Sequence, residues 1–471
     1  MGIGDIADQI AQVFDNTQAS ARKMTEPVIR LGVTGLSRSG KTVFITSLVA
    51  NLLDRGRMPQ LQAAAEGRII AAFLQPQPDD TVPRFDYETH LAALTGSSPH
   101  WPTSTRSISQ LRLSLRLRPA GMLASVRGAK TIHIDIVDYP GEWLLDLPLL
   151  SQSYAEWSDK TLQQARSNAR VSLAEGWLAR LDASDSSAPH DEPTAQSLAK
   201  AFTRYLAKSR KAGFSGFAPG RFLLPGDLDG SPALTFAPLP KPEKPRKGML
   251  YTEFQRRFES YKKQVIKPFF RDHFSRIDRQ IVLVDALGAI HSGPQAVEDL
   301  RSAMADVLTC FRPGKNHWLS GITGKKVEKI LFAATKADHL HHTQHPQLTG
   351  MLEALLRDAK DRADFRGAAT RAMSIAALRA TVEQRVTHDG SALDCVRGMR
   401  ADGTEIAMHP GDLPDDPAHL LTPARQGAAE WLDAGFDTVQ FAPPVLTRKR
   451  GDGLPHIRLD KAAQFLIGDK L

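Results

Sequence analysis

Residues 31–53, LGVTGLSRSGKTVFITSLVANLL, set small and hydroxylated side chains between an apolar strand pattern and an apolar helix pattern. Gly35, Gly40, Lys41 and Thr42 fit G-x-x-x-x-G-K-[ST]. Glycines allow the backbone N–H groups to turn inward around phosphate oxygens, and the N-terminus of the following helix adds partial positive charge. Ser37, Arg38, Ser39 and Val43 complete the expected cradle. Lys41 is placed to reach β- and γ-phosphate oxygens, and the Thr42 hydroxyl to ligate Mg²⁺.

A triphosphate needs a second anchor for the metal and a contact to its γ-phosphate. The run IVDYPG supplies D-x-x-G at a strand end, with Asp138 expected to hold the metal through water and the Gly141 N–H to meet the γ-phosphate. AATKAD, residues 333–338, follows another apolar strand and matches [NT]-K-x-D. A guanine edge offers two adjacent donors that one carboxylate accepts together, and adenine has no such pair. Asp338 is therefore expected to select guanine, with the Lys336 stem against the ring and Thr335 fixing the loop.

Two elements carry less information. WPTSTR offers Thr103, Ser104 and Thr105 as the group that closes over Mg²⁺ and γ-phosphate, and Thr105 is preferred although turn or capping roles explain all three. MSIAAL places Ser374 and Ala376 or Ala377 where a loop would back the guanine O6. Lys41, Thr105 and Gly141 are thus the expected catalytic set. Many small GTPases carry glutamine after D-x-x-G, and here Glu142 stands in that place. A carboxylate beside a γ-phosphate repels its charge unless protonated or turned away. Arg38, or Arg271 further along, could neutralise transition-state charge in cis.

The elements that must position these groups are readable in outline. Ile132, Ile134 and Ile136 alternate ahead of Asp138, and QLRLSLRLR alternates Leu with Arg or Ser, which together predict a hairpin. QIVLVDAL and EKILFAATKAD resume a buried-strand pattern with a helical stretch between them, which predicts an α/β fold with a mostly parallel sheet. The expected organisation is an N-terminal helix over 1–25, a discontinuous nucleotide-binding core over 26–145 and 276–390, a helical insertion over 146–275, and a C-terminal extension over 391–471 ending in a helix.

The chain has 471 residues with 60 Lys plus Arg against 52 Asp plus Glu, a net charge of +8 that suits an anionic partner without choosing among them. Its 42% hydrophobic content excludes a disordered chain, and its two cysteines exclude a disulfide framework. No apolar run approaches the roughly 20 residues that span a bilayer, so a cytoplasmic protein is expected. Ile6, Ile10, Val13 and Phe14 form a helical stripe that would pack on its own domain, or lie on a partner or on an acidic membrane surface.

The order GLSRSGKT, DYPGEW, TKAD resembles the GTPase class of P-loop proteins. The particular forms GLSRSGKTVFITSLV, WPTSTRSISQLRL, VDYPGEWLLDLPLL and LDKAAQFLIGDKL look like the YcjX-like family, across nearly the whole chain. The resemblance implies a bacterial, stress-associated GTPase with a P-loop core, an added helical domain and an inner-membrane protein as functional partner. The expected activity is a GTP-hydrolysing conformational switch that cycles between GTP and GDP with Mg²⁺ and has a slow intrinsic rate. A P-loop ATPase, and a nucleotide-stabilised scaffold or membrane-surface adaptor, are the alternatives.

His339, His341, His342 and His345 crowd DHLHHTQHPQ. His341 and His345 have the i, i+4 spacing of zinc ligands on a helix, but Pro346 points to a loop and no Cys or acidic cluster completes a shell. The basic pieces at 241–248 and 448–450 lack interleaved aromatic residues, which argues for solvated linkers rather than nucleic-acid binding.

Overall fold

The computed structural model describes residues 26–35, 39–103, 107–119, 128–309, 327–357, 368–388, 390–428, 430–431, 436–447, 449 and 451–471. The stripe in 1–25, the loop residues Ser37 and Arg38, Ser104, Thr105, Arg448 and Arg450 lie outside the described residues.

The fold is α/β. Strands β1 (Val28–Gly35), β2 (Ile69–Gln75), β3 (Ser109–Leu117), β4 (Lys130–Asp138), β5 (Arg279–Val284), β6 (Lys329–Ala334) and β7 (Ala369–Ser374) form one sheet in the order β2-β3-β4-β1-β5-β6-β7. β4, β1, β5, β6 and β7 run parallel, and β2 and β3 are antiparallel additions at one edge. The expected β3–β4 hairpin is present, with Leu113 opposite Ile134 and Ser109 opposite Asp138. β2 was not expected: IIAAFLQ is an apolar run without alternation. It forms an edge strand that leaves Ile70 and Phe73 exposed.

Helix α1 (Lys41–Asp54) follows β1 directly and buries Phe44, Ile45, Leu48 and Leu52 on one face of the sheet. α2 (Tyr87–Thr95), capped by Asp86, belongs to the same side. Between β4 and β5 the chain is helical: a 3₁₀ run over Gly141–Ser151, then α3 (Tyr154–Ala165), α4 (Val171–Asp182), α5 (Glu192–Lys211) and α6 (Leu250–Tyr261). Ser153 and Glu156 form a reciprocal capping box at the start of α3, as S-x-x-E predicts. Trp157, Trp177, Phe202, Phe236 and Phe258 interlock as an aromatic core in this layer.

α7 (Ala286–His291) and α8 (Pro294–Thr309) lead from β5 toward β6, and α9 (His345–Leu355) lies between β6 and β7. β8 (Val382–His388), β9 (Ser391–Met399) and β10 (Glu405–Met408) form a separate antiparallel sheet, so position 390 falls inside the β8–β9 hairpin. The last helix, α10 (Leu459–Ile467), returns to the sheet. Lys329 Nζ donates to Phe465 O at 3.0 Å, and Asp469 pairs with Arg279 at 2.8 Å and Lys329 at 2.7 Å. Among the described residues no helix is long and apolar enough to cross a membrane.

Candidate functional site

Parallel strands end on a common edge, and in this sheet β1 sits where the chain order reverses, with β4 on one side and β5 on the other. Ligands of open α/β sheets bind outside the strand ends at such a point. Gly35 ends β1, Asp138 ends β4, Thr335 follows β6 and Ser374 ends β7, so the topology brings four separate sequence signals to one edge.

The phosphate-side loop is built locally. Gly40 is the N-cap of α1 with φ 80°, a left-handed conformation that residues with a Cβ adopt at a cost. It offers no capping side chain, and the first turn of α1 carries no acid, so the helix N-terminus keeps its positive potential for a ligand. Lys41 Nζ donates to Gly35 O at 2.8 Å, folding the ammonium back over the loop. Ser39 is 1% exposed, and among the described residues its Oγ has no hydrogen-bond partner. A buried hydroxyl without such a partner, beside a helix terminus that has no capping side chain and a loop lysine, fits a bound polyanion. Thr42 is buried in the first turn of α1, and Asp138 is buried one strand away, in register with Val33 just before the loop. A hydroxyl and a carboxylate from adjacent elements make a donor set suited to Mg²⁺.

The base-side loop is cross-braced. Lys336 has φ 62°, and its ammonium contacts Asp285 Oδ2 at 2.5 Å. Asp285 in turn caps α7 by accepting from Gly288 N at 3.0 Å. The Lys336 head is therefore fixed on an acid after β5 that the sequence reading overlooked, although an aspartate ending QIVLV was a visible strand-end signal. Thr335 N donates to Val284 O at 3.0 Å. Asp338 is 4% exposed; its Oδ2 accepts from Ala380 N at 2.8 Å, and its carbonyl accepts from the Thr381 hydroxyl. Each carboxylate oxygen has about two lone-pair directions, so that single bond leaves Asp338 with capacity to accept more.

Ala337 N donates to Ile375 O at 3.0 Å, which joins the 335–338 loop to the 374–377 loop. Ser374 is buried and spent on structure: its Oγ donates to His345 O at 3.2 Å and accepts from Arg458 at 2.9 Å. The Ala376 amide is taken by Ile457 O at 3.1 Å. Ala377, next along the loop, is half-buried.

Matches to known proteins add a second line. The family described as YcjX-like family, DUF463, matches residues 29–471. The chain belongs to the YcjX-like family. It is 39% identical over 460 residues to a protein of Escherichia coli (strain K12) named Ras-like GTPase YcjX, an alignment covering 94% of this chain and 96% of that one. It is 34% identical to the protein of the same name from Shewanella oneidensis, across all of both chains. A mostly parallel sheet with a helix opening directly after β1 fits the P-loop core that those relatives' name implies.

The segment after Asp138 departs most from sequence expectation. Gly141 to Leu150 are all buried in the 3₁₀ run. Glu142 is 2% exposed and its carboxylate pairs with Arg210 of α5 at 2.9 Å, so its charge is neutralised by the helical layer. Arg271, which the sequence offered as a charge-neutralising group, is instead paired on the surface with Asp272 at 2.7 Å. Trp143 Nε1 donates to Leu224 O at 3.0 Å while the Arg221 guanidinium lies over the indole, 3.2 Å from its centre. Asp146 accepts from Gly220 N and from Tyr261 Oη, each at 2.6 Å. Burial pushes the Asp146 carboxyl up to about 6, against the lowering effect of the Tyr261 and Gly220 hydrogen bonds and the Arg221 charge. Gly220 is glycine because the chains touch here: a Cβ would sit 1.8 Å from Glu142 O.

His341 and His345 do not converge as ligands. His345 opens α9, and its Nε2 donates to Ala337 O at 2.8 Å.

Proposed function

We propose that the chain is a GTP-binding and GTP-hydrolysing conformational switch. The observation that carries the reading is the convergence, at one sheet edge, of the Gly40–Lys41–Thr42 helix start, Asp138 and the braced Asp338 loop. The printed name of the relatives, Ras-like GTPase, supports the same class.

On this reading loop N–H groups and Lys41 hold the β- and γ-phosphates, and the lysine exchanges its bond to Gly35 O for phosphate oxygens. Asp338 accepts the paired guanine donors, and Ala377 backs the O6. Thr42 and Asp138, with Thr105, would hold a Mg²⁺ ion, which when bound neutralises phosphate charge. Water attacks the γ-phosphate in line, with Lys41 and the Gly141 N–H stabilising the developing charge. Glu142 is held by Arg210, so it does not orient that water. Slow turnover by the isolated chain follows, with the helical layer as the element that responds to nucleotide. The domain organisation expected from sequence, with core segments flanking a helical insertion, belongs to this proposal. The family resemblance extends it to a bacterial envelope stress response, acting from the cytoplasm beside an inner-membrane protein.

Paired titrations of labelled GTP and ATP in Mg²⁺, with wild type beside Asp338→Asn, test the reading. Selective GTP binding that is lost in the variant supports it. Equal or ATP-favoured binding by both proteins would move the ATPase alternative to first place, and GTP binding with no phosphate release would favour the scaffold.

A further inference from the structure

The sequence left DHLHHTQHPQ without an acid to complete a metal shell, and the fold supplies one. Glu383 on β8 lies against the loop after Asp338, with its Oε2 2.7 Å from His342 Nδ1 and 3.7 Å from His341 Nε2. We propose that His341, His342 and Glu383 form a binding site for a zinc-class divalent cation that fastens the β8–β9 hairpin to the base-side loop.

Three ligand atoms from these residues lie within 4.8 Å of one another. Around zinc with bond lengths of about 2.0–2.2 Å, tetrahedral ligands stand roughly 3.3 Å apart. The observed 2.7 and 3.7 Å from the carboxylate bracket that spacing, and the two imidazole nitrogens lie within 4.8 Å of each other, so side-chain rotation would have to draw the imidazoles together around an ion. Two imidazoles and one carboxylate favour zinc and its neighbours over Mg²⁺ or Ca²⁺, which prefer all-oxygen shells.

The surroundings orient the ligands. The far nitrogen of His341, Nδ1, meets Thr343 Oγ1 at 2.9 Å and Asp394 Oδ2 at 3.7 Å. Oxygen acceptors on that side favour the Nδ1–H tautomer, which turns the Nε2 lone pair toward Glu383. Arg379 stands 3.6 Å from Glu383 Oε1, the other carboxylate oxygen, leaving Oε2 facing the histidines. Arg385 is engaged by Asp394 Oδ1 at 2.9 Å. His341 is 11% exposed and His342 63%, so one imidazole is seated while the other faces solvent, where an ion can enter. The two imidazoles meet at a tilt of 44° with centroids 4.4 Å apart.

The site ties two loops that the Asp338 carboxylate also joins, since Ala380 and Thr381 lead directly into β8. A bound ion would therefore stiffen the base-side loop from outside, where no nucleotide atom is needed as a ligand.

The experiment uses the chelator-stripped, nucleotide-free full chain, titrated with zinc chloride against a chromophoric zinc indicator. One equivalent is expected to bind. His342→Ala and Glu383→Gln should each weaken it by about a hundredfold or more, the loss of one of three protein ligands. His419→Ala, an exposed histidine elsewhere, should leave it unchanged. Zinc should also protect the amides of β8 and β9 from hydrogen exchange in wild type and not in Glu383→Gln. Absence of a stoichiometric zinc equivalent, or retention of it in both ligand variants, overturns the proposal. Because no nucleotide is present, that failure is separate from failure of the GTP reading.

Discussion

Around residues 39–42 the described contacts are local, as when Lys41 bonds Gly35 O, and among the described residues Ser39 Oγ has no hydrogen-bond partner. Around 141–150 every residue is buried, and the fixing partners, Arg210, Gly220, Arg221, Leu224 and Tyr261, come from the helices and loops between β4 and β5. One region is a local loop with spare donors; the other has its charges already paired. On the proposed function, the difference teaches that binding and response would be carried by different physics. Phosphate recognition needs unspent N–H groups and an ammonium. Transmission to a second layer needs a segment whose contacts to that layer are strong enough to be broken or remade as a unit.

Four perturbations break or sharpen that contrast. Lys41→Ala should weaken GTP binding by about a thousandfold, roughly 4 kcal/mol at 1.4 kcal/mol per factor of ten, with the urea midpoint of the nucleotide-free protein unchanged. A fall in that midpoint would mean the loop is not an independent unit. Asp146 gives the opposite behaviour, in stability rather than affinity. Its folded pKa of about 6 lies above the unfolded value, so its contribution is fully present below pH ~4 and is lost as pH rises through ~6. The loss is on the order of 3 kcal/mol, and urea midpoints between pH 4 and 7 should decline less steeply in Asp146→Asn.

Arg210→Met would leave the Glu142 carboxylate buried without this cation. About 2 kcal/mol of stability should be lost, less than for a fully enclosed pair because Arg210 is 26% exposed. The same variant tests coupling: if the helical layer responds to nucleotide through this pair, phosphate release by Arg210→Met should change while GTP affinity does not. Tyr261→Phe should be mildest, near 1 kcal/mol for one hydrogen bond to Asp146, read as a small shift in thermal midpoint.

Much of the fold was legible because strand and helix signals are local. Alternating Leu111, Leu113 and Leu115 against Ile132, Ile134 and Ile136 announced the β3–β4 hairpin, and every one of those side chains is buried. β2 was missed since a continuous apolar run carries no period to read. Of the candidate site, Lys41 and Thr42 could be picked out because their motif opens a helix after a strand, and Asp138 and Asp338 because theirs end or closely follow strands. Asp285, which holds Lys336, could have been read in the same way.

By itself the sequence determined the parallel α/β pattern, the glycine–lysine–threonine loop at a helix start and the order of the strand-end acids, because backbone period and turn chemistry act over a few residues. Only the tertiary structure decided that Arg210 neutralises Glu142, that Ala376 has its amide spent on Ile457, and that Glu383 is set against His341 and His342. Those pairings depend on which surfaces meet through space, and separation along a chain carries no record of that.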